Sequence, residues 1–318
     1  MPRPAYAWVL NLDAEHELES GGAYTPPRHL HEIVILQRQR LIGELVAPGD
    51  VLVTPESIRA AGRGAAQLAA GLPGFAWSPT PGAIALLKSA GAHPVPAPGA
   101  ATLRTVNARP FASSLRAPWA PGSFDKHVAH DVEQVLQRLA DPAPMGWLVR
   151  RCFGAAGRGR RRIASGRPSE AERQWIGASL RRGPLTLEPW VQVRREYTRS
   201  GWIDPRGEIT VSAPCFQLTT SAGAWTRTDL ASRGEMNEDD DERLTEMAHV
   251  AGKALADEGY FGPFGIDAFR HREPGGSHDV LNTLSEINAR FTMDWASALP
   301  AEVVARVLAD AAEPLRTS

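Results

Sequence analysis

The chain has 318 residues, 43% of them hydrophobic and 22% charged, with a net charge of -1 at neutral pH. That length is enough for two domains or one large α/β unit with a sizeable core, and the near-zero charge excludes a global field directed at nucleic acid or an anionic membrane. Two cysteines, Cys152 and Cys215, are too few for a disulfide framework and fit buried thiols in a reducing cytoplasm, while no stretch has the pattern of a signal peptide or of a spanning helix.

Residues 5–12, AYAWVLNL, read as a first strand, followed by a polar loop from Asp13 to Glu17. Residues 26–42 carry helical periodicity, with prolines at the start where a helix tolerates them. Residues 50–54 read as a short buried strand. Thr54-Pro55 and Thr80-Pro81 open two helices by the same device, a threonine cap with proline in the first turn, and Gly91 closes the second. This alternation predicts a small α/β layer of roughly one hundred residues. The run PVPAPG at 94–99 reads as a linker.

Beyond the linker, residues 126–139 predict a helix, 146–153 a strand and 154–163 a turn rich in Gly and Arg. Residues 168–182 form an amphipathic pattern with acids first, arginines last and Gly183 as the stop. Residues 185–193, 197–203 and 208–218 are strand-like, with Trp225 on a partner of the last. A long helix is expected over 237–258. Its acidic opening, Glu238 to Glu242, reads as a solvated start favoured by the helix dipole, not as a metal site. Residues 264–269 and 280–287 alternate in β fashion around EPGGSHD at 273–279, which predicts a hairpin. A final helix covers 300–315.

The hairpin carries the first chemical signal. Asp267 on one strand can face Glu286 and Asn288 on the other. Glu286, Asn288 and Arg290 are two apart and so project together. Three oxygen donors beside a cation suit Mg²⁺, which keeps waters and takes further ligands from substrate phosphates; a solvated polar hairpin is the plain alternative. The second signal is GAAGRGRRR at 154–162. Gly154, Gly157 and Gly159 let backbone N–H groups approach an anion, and the arginines supply charge. The run is neither a Walker A loop nor a dinucleotide fingerprint. A solvated basic loop is its plain reading, and aromatics are too scarce for an RNA-binding patch. The third signal is LEPWVQVRREYT at 187–198, with Glu188 and Glu196 on either side of the apolar Trp190 and Val191; a strand and loop with ordinary surface acids is its plain reading. Asp13, Glu15, His16 and Glu17 follow the first strand, where α/β domains bind ligands, though a solvated loop is the plainer reading. His29 and His31 are two apart on a helix and do not share a face, which argues against zinc there.

In this order the pieces resemble the ATP-grasp superfamily over residues 103–296. Its members carry an acidic residue on one strand and a Glu-x-Asn-x-Arg-like ending on the next, matched here by Asp267 and by Glu286-Ile287-Asn288-Ala289-Arg290. The resemblance implies an ATP-grasp fold, α+β in the ATP module, preceded by a small Rossmann-like α/β domain. Expected boundaries are 1–102, 103–185 and 186–318. It implies that Asp267, Glu286 and Asn288 hold Mg²⁺ or Mn²⁺. It places Arg150 and Arg109 on the phosphates of ATP, with Lys126 as the alternative to Arg109. Gly154, Gly157 and Gly159 would close over the triphosphate. Glu188 would meet the adenine edge, Trp190 and Val191 would form the hinge and an apolar wall, and Glu196 would bind the ribose. Arg290, with Arg150, would act on the transferring group. Arginine in place of the commoner lysine keeps the charge and adds a planar fork.

The implied activity is an ADP-forming ligation of a carboxylate to an amine, or less often a thiol, through an acyl phosphate. A phosphotransferase and a non-catalytic nucleotide-binding module are alternatives on the same fold. The implied partners are small-molecule carboxylate and amine substrates, with neither nucleic acid nor membrane, in the cytoplasm. Oligomeric state stays open, a homodimer being common for soluble enzymes. The identity of the substrates is not legible.

Overall fold

Three sheets organise the chain. The computed structural model describes residues 4–21, 28–116, 127–154, 158–219, 225–231, 236, 238–272 and 278–313. The first sheet is parallel, in the order β2-β1-β3-β4, from β1 (Ala7–Val9), β2 (Val51–Leu52), β3 (Pro73–Ala76) and β4 (His93–Pro94). Helices α1 (Ala14–Ser20), α2 (Arg28–Leu41), α3 (Pro55–Ala61) and α4 (Pro81–Ser89) connect its strands. The threonine caps form as expected. Thr54 Oγ1 accepts from the Ser57 backbone N–H at 3.1 Å while Ser57 Oγ accepts from the Thr54 N–H at 2.9 Å, which satisfies two orphan donors reciprocally. After α4, Gly91 adopts φ +81°, and a Cβ there would lie 2.0 Å from the Ala66 carbonyl oxygen, so only glycine fits.

Two expectations fail in this part. The polar run from Asp13 to Glu17 is not a loop, because α1 begins at Ala14. The other is β3, whose pattern is too short and too mixed to be read from sequence, while the linker-like run is irregular over 95–99 with only Pro94 in β4.

Two helices, α5 (Ala100–Val106) and α6 (Arg109–Arg116), lead to the second sheet. It is antiparallel, in the order β5-β8-β6-β7, from β5 (His127–Ala129), β6 (Trp147–Arg151), β7 (Arg160–Ile163) and β8 (Leu185–Pro189). Helices α7 (Val132–Ala140) and α8 (Glu170–Leu180) cover one face. Trp147, Val149, Ile163, Leu185 and Leu187 pack there against Val135, Leu139 and Ile176. Because the strand period is two, Arg150, Arg160 and Glu188 share the opposite face. The expected helix over 126–139 starts only at Val132, where Asp131 accepts from the Gln134 N–H and caps it. The expected turn over 154–163 ends as β7. Strand β8 runs on to Pro189, across the expected boundary at 185/186.

The third sheet has six strands, in the order β12-β11-β9-β13-β14 with β10 paired to β9. They are β9 (Gln192–Ile203), β10 (Ile209–Val211), β11 (Cys215–Thr219), β12 (Trp225–Leu230), β13 (Gly262–Arg272) and β14 (Asp279–Asn288). Residues 208–218 form two strands, not one, because Pro214 cannot donate to the ladder. Trp225 does lie on the partner strand. Helix α9 (Glu238–Asp257) covers the back, packing Met247, Ala248, Ala251 and Leu255 on Phe264, Ile266 and Ile287. Its acidic opening is not simply solvated. Asp240 is buried and accepts from Arg270 at 2.6 and 2.7 Å, and Asp241 pairs with the buried Arg199.

Helices α10 (Trp295–Ala298) and α11 (Ala301–Ala312) return the chain to the first sheet. Phe291 and Trp295 join Trp8, Phe75, Trp77 and Trp202 in one core. The rings of Phe291 and Trp295 meet edge to face at 4.9 Å, and Trp295 Nε1 donates to the Gly201 carbonyl at 2.8 Å. No helix among the described residues is long and apolar enough to cross a membrane. Both cysteines are buried thiols, with burial pushing Cys152 to about 11 and Cys215 to about 12. Truncation of Trp295 to alanine is expected to cost about 3–5 kcal/mol of stability. Urea denaturation reads this directly, and a loss under about 1 kcal/mol would show that this core does not hold the first and third sheets together.

Candidate functional site

The site lies where the helix-free face of the second sheet meets the third. On the hairpin, Asp267 and Glu286 occupy opposite positions of one register pair, with Thr198 of β9 on the other side of Asp267. A β-bulge between Asp267 and Phe269 follows at once, a feature that re-aims side chains. Gln217 Nε2 donates to Asp267 Oδ1 at 3.0 Å, and Asn288 Nδ2 donates to Oδ2 at 3.1 Å. Burial and the adjacent Glu286 hold the Asp267 carboxyl up at about 7, against the smaller opposing effects of Asn288 and Arg290. Two carboxylates side by side favour a cation between or beside them. The donors are hard oxygens from Asp267, Glu286 and Asn288, which fit Mg²⁺. Among the described residues no three His, Cys, Asp or Glu side chains gather to hold a metal. Three protein oxygens would leave coordination positions for water and phosphate, as Mg²⁺ sites usually do.

Opposite stands a wall of guanidinium groups. Arg150 is 6% exposed, with Nη2 at 2.6 Å from Glu188 Oε1 and Nη1 at 3.9 Å from Glu286 Oε2. The other oxygen of Glu188 and the Nε of Arg150 are buried with no hydrogen-bond partner among the described residues. Arg109, at the start of α6, donates to the Arg151 and Gly154 carbonyls at 2.8 Å each and to Glu286 Oε1 at 3.0 Å. It thus ties the root of the glycine loop to the hairpin. The loop needs its glycines. A Cβ on Gly154 would lie 2.5 Å from the Arg158 carbonyl, and Gly159 has φ +69°. Gly157 and Lys126 lie outside the described residues, as do the side chains of His29 and His31.

The hinge residues sit beside this wall. The Trp190 N–H donates to the Gly146 carbonyl at 2.7 Å, and the Arg162 guanidinium lies 5.1 Å from its ring centre. Val191 and Glu196 are half-buried, Glu196 in register with Gln217 and Phe269. Arg109, Arg150, Gly154, Glu188, Asp267, Glu286, Asn288 and Arg290 are thus linked through hydrogen bonds, ion pairs and strand register.

Two members had no role assigned from the sequence. Arg160 stands opposite Arg150 in the β6–β7 register. Burial and the neighbouring Arg150 and Arg109 lower its pKa, while Glu286 and Glu196 oppose them. Parity along β7 was the one signal that could have singled it out. Glu15 is the other. It is buried, not solvated, and accepts from Arg290 Nε at 2.8 Å, while Arg290 Nη2 donates to Asn288 Oδ1 at 2.9 Å. The Arg290 guanidinium also lies 5.5 Å from the Trp77 ring centre. Glu17 is structural, accepting from Thr80 Oγ1 at 2.6 Å and from the Gly82 N–H at 2.7 Å.

The Asp267 shift sets a pH dependence. Its folded pKa of about 7 lies above the unfolded value near 3.9. Between these values the folded protein keeps a proton that the unfolded chain releases, so this contribution to stability is full at low pH and lost as pH rises through about 7. Metal-free protein is expected to lose stability between about pH 4 and pH 7, and Asp267→Asn to flatten that fall. Equal slopes in wild type and variant, read by denaturant titration, would contradict the assignment. A second expectation concerns Glu188→Ala, which leaves Arg150 buried without its closest partner and should cost about 3–5 kcal/mol in the same assay.

No family model matches the chain, and no curated protein matches it. Solved structures do. The N5-carboxyaminoimidazole synthetase of Staphylococcus aureus superposes with a TM-score of 0.53 at 12% identity, over 100% of this chain and 80% of its own. D-alanyl-alanine synthetase A of Vibrio cholerae gives 0.53 at 14% identity, over 98% of both chains. Rhizobium etli pyruvate carboxylase gives 0.53 at 15% identity, over 96% of this chain and 27% of its own. These likenesses establish a fold: the chain has the ATP-grasp fold, with an α/β domain ahead of the ATP module.

Proposed function

We propose that the protein is an ATP-dependent ligase that joins a carboxylate to an amine, or to a thiol, through an acyl phosphate. The supporting observation is the cleft itself, in which the Asp267–Glu286 pair faces Arg109 and Arg150 at 3.0 and 3.9 Å from Glu286. A polyanion accompanied by a divalent cation satisfies both walls at once, and Mg·ATP is such a ligand.

Asp267, Glu286 and Asn288 would hold Mg²⁺, or Mn²⁺ in its place, which supplies charge neutralisation at the β- and γ-phosphates. Arg150 and Arg109 offer planar forks to phosphate oxygens. The unpartnered Oε2 of Glu188 accepts from the adenine amino group. Trp190 and Val191 give hinge backbone and an apolar wall, and Glu196 takes the ribose hydroxyls. The loop of Gly154, Gly157 and Gly159 brings backbone N–H groups over the phosphates and keeps out water, which would hydrolyse the intermediate.

In the first step a substrate carboxylate oxygen bonds to the γ-phosphorus and the bond to the β–γ bridging oxygen breaks, releasing ADP. In the second, the amine nitrogen bonds to the acyl carbon, phosphate leaves with the electron pair, and the nitrogen loses a proton. Arg290 is held by Glu15 and Asn288 beside Trp77. It presents fixed positive charge to the transferring group without reorganisation, and Arg150 does the same from the other wall. The two neighbours that match most of their own length are named synthetases, which favours ligation over phosphotransfer.

The test is incubation with Mg·ATP, hydroxylamine and pools of amino acids and small carboxylates. Hydroxamate together with ADP is the expected result, and Glu286→Ala should lower its rate at least about 100-fold. A stable phosphorylated product would replace ligation by phosphotransfer. Binding of Mg·ATP with no turnover in any pool would leave a nucleotide-binding module.

A further inference from the structure

The charge of the chain is unevenly placed. Residues 150–182 hold ten arginines and two glutamates, a net charge of +8 in a chain whose total is -1. Strand parity sends Arg150 and Arg160 to the cleft, and Arg151 and Arg161 to the face that the helices cover. There they meet Trp175 of α8, with the Arg151 guanidinium 5.5 Å from its ring centre and that of Arg161 5.3 Å away. Arg151 also donates from Nε to Ser179 Oγ at 2.9 Å. Burial, followed by Arg182, lowers the Arg151 pKa, and Arg161 acts in the same direction against Glu19. Three guanidinium groups therefore share one patch. It lies at an edge of the second sheet, because β7 is the last strand in its order among the described residues.

Two carboxylates act on this patch, and both have other work. Arg182 meets Glu19 of α1 at 3.3 Å, yet 57% of its side chain stays exposed. Glu172 feels Arg161, but its carboxylate caps α8, accepting from the Ser169 N–H and Oγ at 2.7 Å each. Arg161 itself is exposed. Charge on an edge strand discourages pairing edge to edge, which accounts for Arg161 but not for Arg151 and Arg182, which lie outside β7. A guanidinium seated over an aromatic ring still offers its N–H edge to a carboxylate fork. A ring beneath two guanidinium groups, by contrast, is no open platform for stacking a base. The patch therefore favours carboxylates over nucleic acid.

We propose that this patch, Arg151, Arg161 and Arg182 beside Trp175, docks an acidic polypeptide segment. Clustered Asp or Glu side chains of the partner pair with the guanidinium forks. The half-buried Arg151 is screened less by solvent than a fully exposed arginine, so its contact counts for more. The patch lies on the reverse of the sheet whose other face carries Arg150 and Glu188, so it stands or falls apart from the nucleotide reading.

The probe is a short fluorescent peptide of alternating glutamate and alanine, titrated with the full chain and read by anisotropy. Wild type should bind it, more weakly as salt rises, and should not bind the lysine counterpart. The double variant Arg161→Gln, Arg182→Gln should weaken binding at least about fivefold, and Arg161→Lys, Arg182→Lys should recover part of the loss. The double variant Arg63→Gln, Arg306→Gln removes the same charge from exposed sites elsewhere and should match wild type. Equal weakening in the two glutamine variants would assign the binding to net charge and overturn the proposal. Failure of wild type to bind the peptide overturns it, and so does displacement of the peptide by Mg·ATP, which would place it in the cleft. A single-stranded RNA of equal charge that binds more tightly than the peptide overturns it in favour of nucleic acid. If the first variant does not fold, Arg161→Gln against Arg63→Gln decides by the same comparison.

Discussion

Glu286 is the contact on which the cleft depends. It stands beside Asp267 on its own sheet and reaches Arg109 and Arg150 on the other side. One carboxylate thus serves two guanidinium groups while being repelled by another carboxylate. Such a group is costly to place in a protein unless each neighbour is also held in position. Here the holding is visible. Gln217 and Asn288 bond both Asp267 oxygens, Glu188 engages Arg150, and two backbone carbonyls engage Arg109. The charge arrangement is set before any ligand enters, which is the condition for electrostatic preorganisation.

Strand periodicity separates the working face from the supporting face in both antiparallel sheets. In the second sheet the odd positions of β6 and β8 pack on α7 and α8, leaving Arg150 and Glu188 toward the cleft. In the third sheet Phe264, Ile266 and Ile287 pack on α9 while Asp267, Glu286 and Asn288 face the other way. The supporting face carries two ion pairs, each with one buried partner, Arg199 with Asp241 and Asp240 with Arg270. These pairs pin the acidic start of α9 to β9 and β13, the strands that carry Thr198 and Asp267.

The first sheet reaches the site through the Glu15–Arg290 ion pair and the Trp77 ring, above an aromatic core. Glu15 opens α1 at the carboxyl end of β1, the usual ligand-binding end of a parallel sheet. Its bond to Arg290 crosses to the residue just before Phe291, whose ring lies in the core with Trp8, Trp77 and Trp295. Glu17, two residues further on, does a different job by binding the start of α4. Two acids two residues apart on one short helix therefore differ in role because their partners differ.

What the sequence by itself determined were features with local causes. The threonine caps, the Asp267–Glu286 facing and the glycine requirement at Gly154 follow from turn chemistry, strand period and backbone sterics over short separations. Asp267 and Glu286 are joined by one hairpin, so alternation and turn residues were enough to bring them together. The order of motifs was also legible, and with it the fold. Only the tertiary structure decided the rest. Arg160 becomes a cleft residue because β7 pairs with β6 in one register, and a slip by one would have turned it to the helices. Glu15 meets Arg290 across 275 positions, and Asp240 meets Arg270 across 30. A carboxylate that looks solvated in sequence is buried when a distant strand supplies its cation, and no local pattern encodes which strand that will be.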